Sequence, residues 1–153
     1  MELHFVGTML CVLFIASASC GAEEDAKAAR VLWAAFECSR FALMSGQQDE
    51  ANRLFLVGLR AGTKFLDAAK AGSITQEEAK RNVPLGVSLL LDGPSDDFVI
   101  GRIYESAINN AFDSVVKRDA QGLLLESNNW VSDPKLEVSI AKLKYQQANC
   151  DIL

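Results

Sequence analysis

The sequence contains one histidine in 153 residues, and that residue is His4. Residues 1–22 are interpreted below as an export signal that is removed, so the mature chain has no imidazole. Without imidazole it can build neither a Ser-His-Asp nor a Cys-His nucleophilic site, and it has no histidine general base. An all-cysteine zinc site needs four thiolates, and the mature chain has at most three cysteines, so we expect no zinc site.

Basic residues are also in short supply. Fifteen Lys and Arg face 20 Asp and Glu, which gives a formal net charge of −5. A surface with this balance cannot neutralise many phosphates, so we expect no nucleic-acid partner. The patterns G-x-G-x-x-G and G-x-x-x-x-G-K-[ST] are missing as well, and no nucleotide cofactor is expected. The negative charge instead favours a protein partner with a basic patch.

No apolar segment is long enough to cross a bilayer, which takes about 20 apolar residues. The run from Phe5 to Ile15 has the length of a signal-peptide core, and small residues follow it up to residue 22. Such a pattern is typical of a secretory signal. We therefore predict a signal peptide at residues 1–22, no membrane span in the mature protein, and an all-helical domain at residues 23–153. The protein is expected to be exported, either to a periplasm or out of the cell.

Three processing sites are compatible with this segment. Cleavage after Ala18 follows an Ala-x-Ala pattern, and cleavage after Ala22 leaves an acidic N-terminus. Processing ahead of a lipidated Cys20 would give the protein a lipid anchor. Lipoprotein signals usually carry Leu, Val or Ile three residues before that cysteine, where this chain has Ser17. Lipidation is therefore the least favoured of the three.

Cysteine counting predicts one disulfide. Cleavage after Ala22 removes Cys11 and Cys20 and leaves Cys38 and Cys150. In an oxidising compartment an even pair favours a disulfide, and this one would tie the first helix to the end of the chain. Two unrelated buried thiols are the alternative.

Apolar residues recur at three- and four-residue steps along nearly the whole mature chain, a spacing that predicts helices. Glycines, helix caps and one proline set their ends. The predicted helices cover about 22–45, 49–71, 75–83, 95–118 and a last segment that begins at Pro134. We expect an all-α protein: a single compact domain of four to five helices tied by one disulfide.

Two of these helices carry patterns that predict their contacts. On the second helix, Gly58 and Gly62 leave room for a neighbouring helix to approach closely. We interpret them as core packing, and a homodimer contact through this helix is the alternative. On the last helix, the expected buried face includes Leu136, Ile140 and Leu143.

One short segment suggests an enzyme. Tyr104-Glu105-Ser106, followed by Gly122-Leu123, resembles the Glu-Ser motif and the downstream Gly-Leu-Met element of lytic transglycosylases. The resemblance implies a cell-wall glycan-cleaving enzyme in which a buried Glu105 is the general acid. It covers under a fifth of the chain and lacks the glycine after Glu-Ser and the helix-ending proline. The helical pattern places Glu105 on the exposed side of its helix, which is the interpretation we favour.

A cluster of carboxylates suggests calcium. Asp92, Asp96 and Asp97 lie within six residues of one another. An EF-hand loop also needs a glutamate at position twelve, where this chain has Ile103. Helix capping explains these carboxylates, so we predict no metal site.

Trp130 lies in a polar run within the one long connection of the chain, residues 119–133, directly after Asn128 and Asn129. If the tryptophan is exposed it is an anchor for a protein partner, and if it is buried it is a plug under the loop. The sequence leaves both open.

By elimination, the leading hypothesis is a small exported binding protein of the inhibitor, immunity or exclusion type. It would use no cofactor and no catalysis, and its contact region would include Asn128, Asn129 and Trp130. The alternatives are the glycan-cleaving enzyme acting through Glu105 and, more weakly, a carrier of an apolar small molecule held between helices.

Overall fold

The fold is known from a computed structural model that describes residues 16–153, with side chains described from residue 21 onward. Over this range the chain is all-α, as predicted, and forms no strand. The helices are α1 (Ala16–Met44), α2 (Gln48–Lys70), α3 (Gln76–Asn82), α4 (Leu85–Ser88), α5 (Asp96–Val116) and α6 (Pro134–Gln147), with short 3-10 helices at Ser127–Asn129 and Cys150–Ile152.

The predicted signal peptide falls largely on residues 1–15, which lie outside the described residues, as does the side chain of Cys20. Residues 16–22 form the first turns of α1. Cleavage and lipidation therefore stay predictions.

Local hydrogen bonds place the helix starts where the sequence predicts them. The Thr75 hydroxyl accepts from the Glu78 backbone N–H (3.2 Å), and the Glu78 carboxylate accepts from the Thr75 N–H (2.8 Å). This reciprocal pair satisfies two amides at the start of α3 that have no partner within the helix. Ser95 caps α5 by accepting from the Phe98 N–H, and Asp133 caps α6, whose first residue is Pro134.

The helices α1, α2 and α5 share a core that has two parts. One part centres on Phe36, whose ring is fully buried and packs edge-on against Tyr104 with the ring centres 5.0 Å apart. Phe55 closes this aromatic group at 5.9 Å from Phe36. The other part surrounds Cys38, Leu54 and residues of α6.

Gly58 and Gly62 lie at the contact of α2 with its neighbours. A Cβ added at Gly58 would stand 2.4 Å from Cε1 of Phe36, and one at Gly62 would stand 3.1 Å from side-chain atoms of Leu32 and Ile100. The glycines therefore let α1 and α5 approach α2, as the core-packing interpretation predicts. Because α1 and α5 cover this face, the glycines themselves serve core packing, and a homodimer through another face of this helix stays a prediction.

The predicted disulfide is confirmed. Cys38 of α1 is bonded to Cys150, with 5.6 Å between the Cα atoms and a sequence separation of 112 residues. Both residues are buried, at 1% and 0% exposure. The bond holds the end of the chain against α1, where α6 also packs.

The predicted buried face of α6 is wrong in part. Leu136 and Leu143 are about half exposed, at 49% and 51%, and the fully buried residue of α6 is Ala141. Ile140 is partly buried against the second part of the core. Helix α6 lies at the edge of the bundle and is held there by the disulfide. It therefore buries the small side chain of Ala141 where it packs against the bundle and leaves Leu136 and Leu143 partly in solvent.

Among the helices that the structure describes, none is both long enough and apolar enough to span a bilayer.

Candidate functional site

The connection between α5 and α6, residues 117–133, is ordered by backbone hydrogen bonds, and we call it the Trp130 loop. Its first half turns back on itself: Asp119 N donates to Leu123 O (3.0 Å), and Gly122 N donates to Asp119 O (3.0 Å). Gly122 has a φ of +84°, which favours glycine. The Asp119 carboxylate fixes the turn by accepting from the Leu123 N–H (2.8 Å). The tip is therefore a defined turn.

The second half of the loop is tied to the end of α5. Leu125 N donates to Lys117 O, and Val131 N donates to Val116 O, both at 2.9 Å. Between these two anchor points, Asn128 and Asn129 form a 3-10 turn and are exposed. They set the backbone from which Trp130 projects.

Trp130 is exposed at 41%, so the structure places it at the surface. Its indole Nε1 donates to the carbonyl oxygen of Leu125 (3.2 Å), and the Lys117 ammonium lies 5.0 Å from its ring centre. The polar edge of the ring is thus satisfied within the protein, and much of its apolar surface faces solvent. An aromatic side chain held this way is suited to contact with another protein.

Two leucines extend the apolar surface of the loop. Leu123 and Leu124 are exposed at 67% and 68%, and their backbone is next to Leu125, which receives the indole hydrogen bond.

The charges around the loop are arranged asymmetrically. Lys117 is paired with Asp113 on α5 (2.7 Å), and the Arg118 guanidinium donates to Gly122 O (2.8 Å), so both cations have partners inside the molecule. The segment from Glu126 to Asp133 around the tryptophan carries two carboxylates and no Lys or Arg. This flank of Trp130 is acidic and suits a basic partner surface.

Glu105 lies on the exposed side of α5. A glutamate that acts as the general acid of a glycosidase is kept in a pocket that restricts water. The exposure of Glu105 gives the enzymatic hypothesis no such pocket and matches the helical-face interpretation.

One of the three aspartates near the start of α5 has a structural partner. Asp96 forms an ion pair with Lys70 of α2 at 2.5 Å, and Ser95 caps the helix. Over the described part of the chain, no three His, Cys, Asp or Glu side chains come together as metal ligands would.

One cluster that the sequence did not predict joins α2 to α6. The Glu50 carboxylate receives two hydrogen bonds from Arg53, at 2.8 and 2.7 Å, and one from the Tyr145 hydroxyl at 2.7 Å. The hydrogen bonds from Arg53 lower the pKa of Glu50 to about 2, and burial raises the pKa of Tyr145 to about 12. The spacing of Glu50 and Arg53 on one helix face was the available signal. Tyr145 is 95 positions from Glu50 in the chain, and no sequence signal predicted that contact.

A second carboxylate is held between helices. Glu37 of α1 accepts from the side-chain amide of Asn110 on α5 at 2.5 Å. Burial raises its pKa, and the hydrogen bonds from Asn110 and Trp33 oppose that shift. Its role is to link α1 with α5.

An apolar groove runs between α2, α3 and α4 with a volume of about 590 Å³. Its wall includes Phe65, Ile74, Val83, Leu85 and Leu91. Leu85 is 72% exposed at the rim, so the groove opens to solvent. These residues come from different segments of the chain, and the sequence did not predict that they meet.

No protein-family model matches the chain, and neither the search of curated proteins nor that of solved structures found a significant match.

Proposed function

We propose that this protein is an exported binding protein that acts by recognising another protein through the Trp130 loop. It would block or escort that partner, as inhibitor, immunity and exclusion proteins do. The observation that carries the proposal is Trp130 itself, 41% exposed and held by a hydrogen bond from its indole to Leu125.

The order of the loop supports the proposal. A tryptophan that is already fixed by Leu125 and Lys117 loses little side-chain freedom when it binds, which reduces the entropic cost of association. Leu123 and Leu124 are exposed in the same loop and add apolar area to it. Asn128 and Asn129 supply exposed amides that can donate and accept hydrogen bonds at the rim of a contact.

Charge supports a basic partner. The net charge of −5 favours encounter with a positive surface, and the flank from Glu126 to Asp133 is acidic. We therefore expect association to slow as salt is raised, while loss of the tryptophan should act mainly on dissociation.

The test is a paired capture from the envelope or medium of the native host. Wild-type protein is compared with Trp130→Ala and with Leu143→Ala, which removes a side chain of similar exposure on α6, outside the loop. We expect one protein to be recovered in stoichiometric amount by the wild type and by Leu143→Ala, and to be lost with Trp130→Ala. Equal recovery by all three would overturn the proposed contact surface.

The apolar groove supports a second candidate, a carrier of an apolar small molecule. A volume of about 590 Å³ with an apolar wall falls in the range of small-ligand sites. The test is a titration with a fluorescent fatty acid. A carrier should bind it saturably at one site, and Val83→Glu in the groove wall should abolish that binding, whereas Trp130→Ala should leave it intact.

A further inference from the structure

A small cavity lies between α1, the first turns of α2, and α5, on a part of the molecule that the proposed function does not use. We call it the Arg40 cavity; its volume is about 120 Å³. Its polar lining includes Arg40, Gln48, Asn52 and Tyr104, and Leu43 and Ile108 contribute aliphatic surface.

Arg40 lacks an anionic partner within the described part of the chain. Its Nε is buried and has no hydrogen-bond acceptor, and none of the ion pairs between described residues includes it. Its guanidinium lies over the Phe112 ring at 5.4 Å from the centre. Glu37, one turn earlier on α1, accepts instead from Asn110. Arg40 as a whole is partly buried, but a buried N–H without an acceptor is costly, so its Nε has an unmet need for an acceptor.

Two amide side chains of the lining, Gln48 and Asn52, can donate further hydrogen bonds. Gln48 Nε2 donates to Asn52 Oδ1 at 3.2 Å, which occupies the oxygen of Asn52 and leaves its amide nitrogen able to donate. Both residues lie in the first two turns of α2, a helix of 23 residues whose N-cap, Gln47, makes no side-chain capping bond. The first turn of this helix also carries Asp49 and Glu50, which offset the positive end of the helix. The charge that favours an anion here is therefore that of Arg40.

We propose that the Arg40 cavity binds a small free carboxylate. A guanidinium presents a planar fork that matches the two oxygens of a carboxylate, and the aliphatic side chains of Leu43 and Ile108 suit a short carbon chain. About 120 Å³ admits a molecule the size of acetate or propionate but is far below the roughly 300 Å³ at which sites for larger ligands begin. A phosphate has the charge but no apolar part to place against this wall.

The site is independent of the Trp130 loop, so the two proposals stand or fall separately. The test uses protein from expression of the full chain with its disulfide oxidised. Amide NMR spectra are recorded at fixed pH and ionic strength while chloride is replaced by propionate, by acetate or by phosphate. We expect saturable shifts with propionate and acetate in residues 39–43, 48–52 and 104–108, and no saturable shift in these residues with phosphate.

Two variants assign the effect to the guanidinium. Arg40→Gln should weaken propionate binding roughly ten- to a hundredfold, as expected for loss of a charge-assisted pair, and Arg60→Gln, the same change at an exposed position on α2, should leave it unchanged. If Arg40→Gln does not fold, Asn52→Leu at the rim of the cavity takes its place and should also weaken binding.

Three results would overturn the proposal. The first is the absence of saturable shifts with any carboxylate, which would mean that water alone fills the cavity. The second is phosphate binding as tightly as propionate, and the third is equal propionate affinity in wild type and the cavity variant.

Discussion

The ammonium nitrogen of Lys117 lies 5.0 Å from the centre of the Trp130 ring. The same nitrogen is 2.7 Å from the Asp113 carboxylate and 5.6 Å from the centre of the Phe112 ring. The cation is thus fixed by α5, and the indole rests against it at the surface. A cation held over an aromatic face attracts it, and here that attraction fixes a tryptophan that the core does not contain.

Trp130→Ala should therefore cost less stability than the loss of a core ring. We expect a loss of about 1–3 kcal/mol, from one hydrogen bond, one cation–π contact and the covered part of the ring. Phe36→Ala, at a ring with no exposure, should cost about 3–5 kcal/mol. Urea denaturation followed by far-UV circular dichroism measures both. A loss for Trp130→Ala as large as that for Phe36→Ala would mean that Trp130 is part of the core and cannot serve as a contact residue.

Gly58 of α2 and Gly101 of α5, both within helices, should respond to alanine in opposite directions. At Gly58 the new methyl would stand 2.4 Å from the buried Phe36 ring, and forced repacking of a core typically costs about 1–3 kcal/mol. At Gly101 of α5 an added Cβ would meet no other atom within 4 Å outside its own stretch of helix. Gly101→Ala should therefore stabilise the protein by about 0.5–1 kcal/mol through helix propensity alone. Thermal melts of the two variants give the comparison. A stable Gly58→Ala protein would contradict the close approach of α1 to α2.

Helix caps were predictable because each depends on residues close together in the sequence. Thr75 and Glu78 are three positions apart, and Asp133 adjoins Pro134, so the chain itself specifies these contacts. The burial of α6 was not predictable in the same way. Its exposed Leu143 and buried Ala141 depend on where the disulfide holds the end of the chain, and an amphipathic pattern does not encode that position.

The Trp130 loop and the Arg40 cavity also depend on contacts between residues that are distant in the sequence. The sequence left open whether Trp130 is exposed or buried. Its 41% exposure follows from the fold, in which it bonds to Leu125 and rests against Lys117. The Arg40 cavity joins residues of three helices that are far apart in the chain. Its one sequence signal was a cation between Ser39 and Phe41, in a stretch of α1 that is otherwise mostly apolar.

The disulfide should contribute substantially to stability. Cys38 and Cys150 close a loop with a separation of 112 residues, and in the chain-entropy model such a cross-link is worth up to about 4–5 kcal/mol. The double variant Cys38→Ala, Cys150→Ala should lose much of this in urea denaturation while remaining helical. Mass spectrometry of the wild type without reductant should find neither thiol free. A double variant within about 1 kcal/mol of wild type would mean that the unfolded chain gains little freedom when the bond is removed.

The Glu50 cluster should make stability depend on acid in a defined window. Hydrogen bonds from Arg53, helped by one from Tyr145 and opposed by partial burial, lower the pKa of Glu50 from 4.5 to about 2. Below pH 4.5 this glutamate becomes protonated in the unfolded chain while it is still ionised in the folded chain. Protonation therefore stabilises the unfolded state relative to the folded state as the pH falls. The contribution of Glu50 to stability is therefore complete above pH 4.5, declines as the pH falls, and is lost below about 2.

We expect Glu50→Gln to flatten the dependence of unfolding free energy on pH between 4.5 and about 2, because glutamine has no proton to gain. Tyr145→Phe should flatten it less, since the bonds from Arg53 remain. Glu105→Gln removes one carboxylate from the exposed face of α5 and should keep the wild-type slope. Urea denaturation at a series of pH values measures all four proteins. If Glu50→Gln and wild type lose stability in parallel across this window, the hydrogen bonds from Arg53 and Tyr145 do not favour the ionised carboxylate, and the link between α2 and α6 must depend on the disulfide and on packing alone.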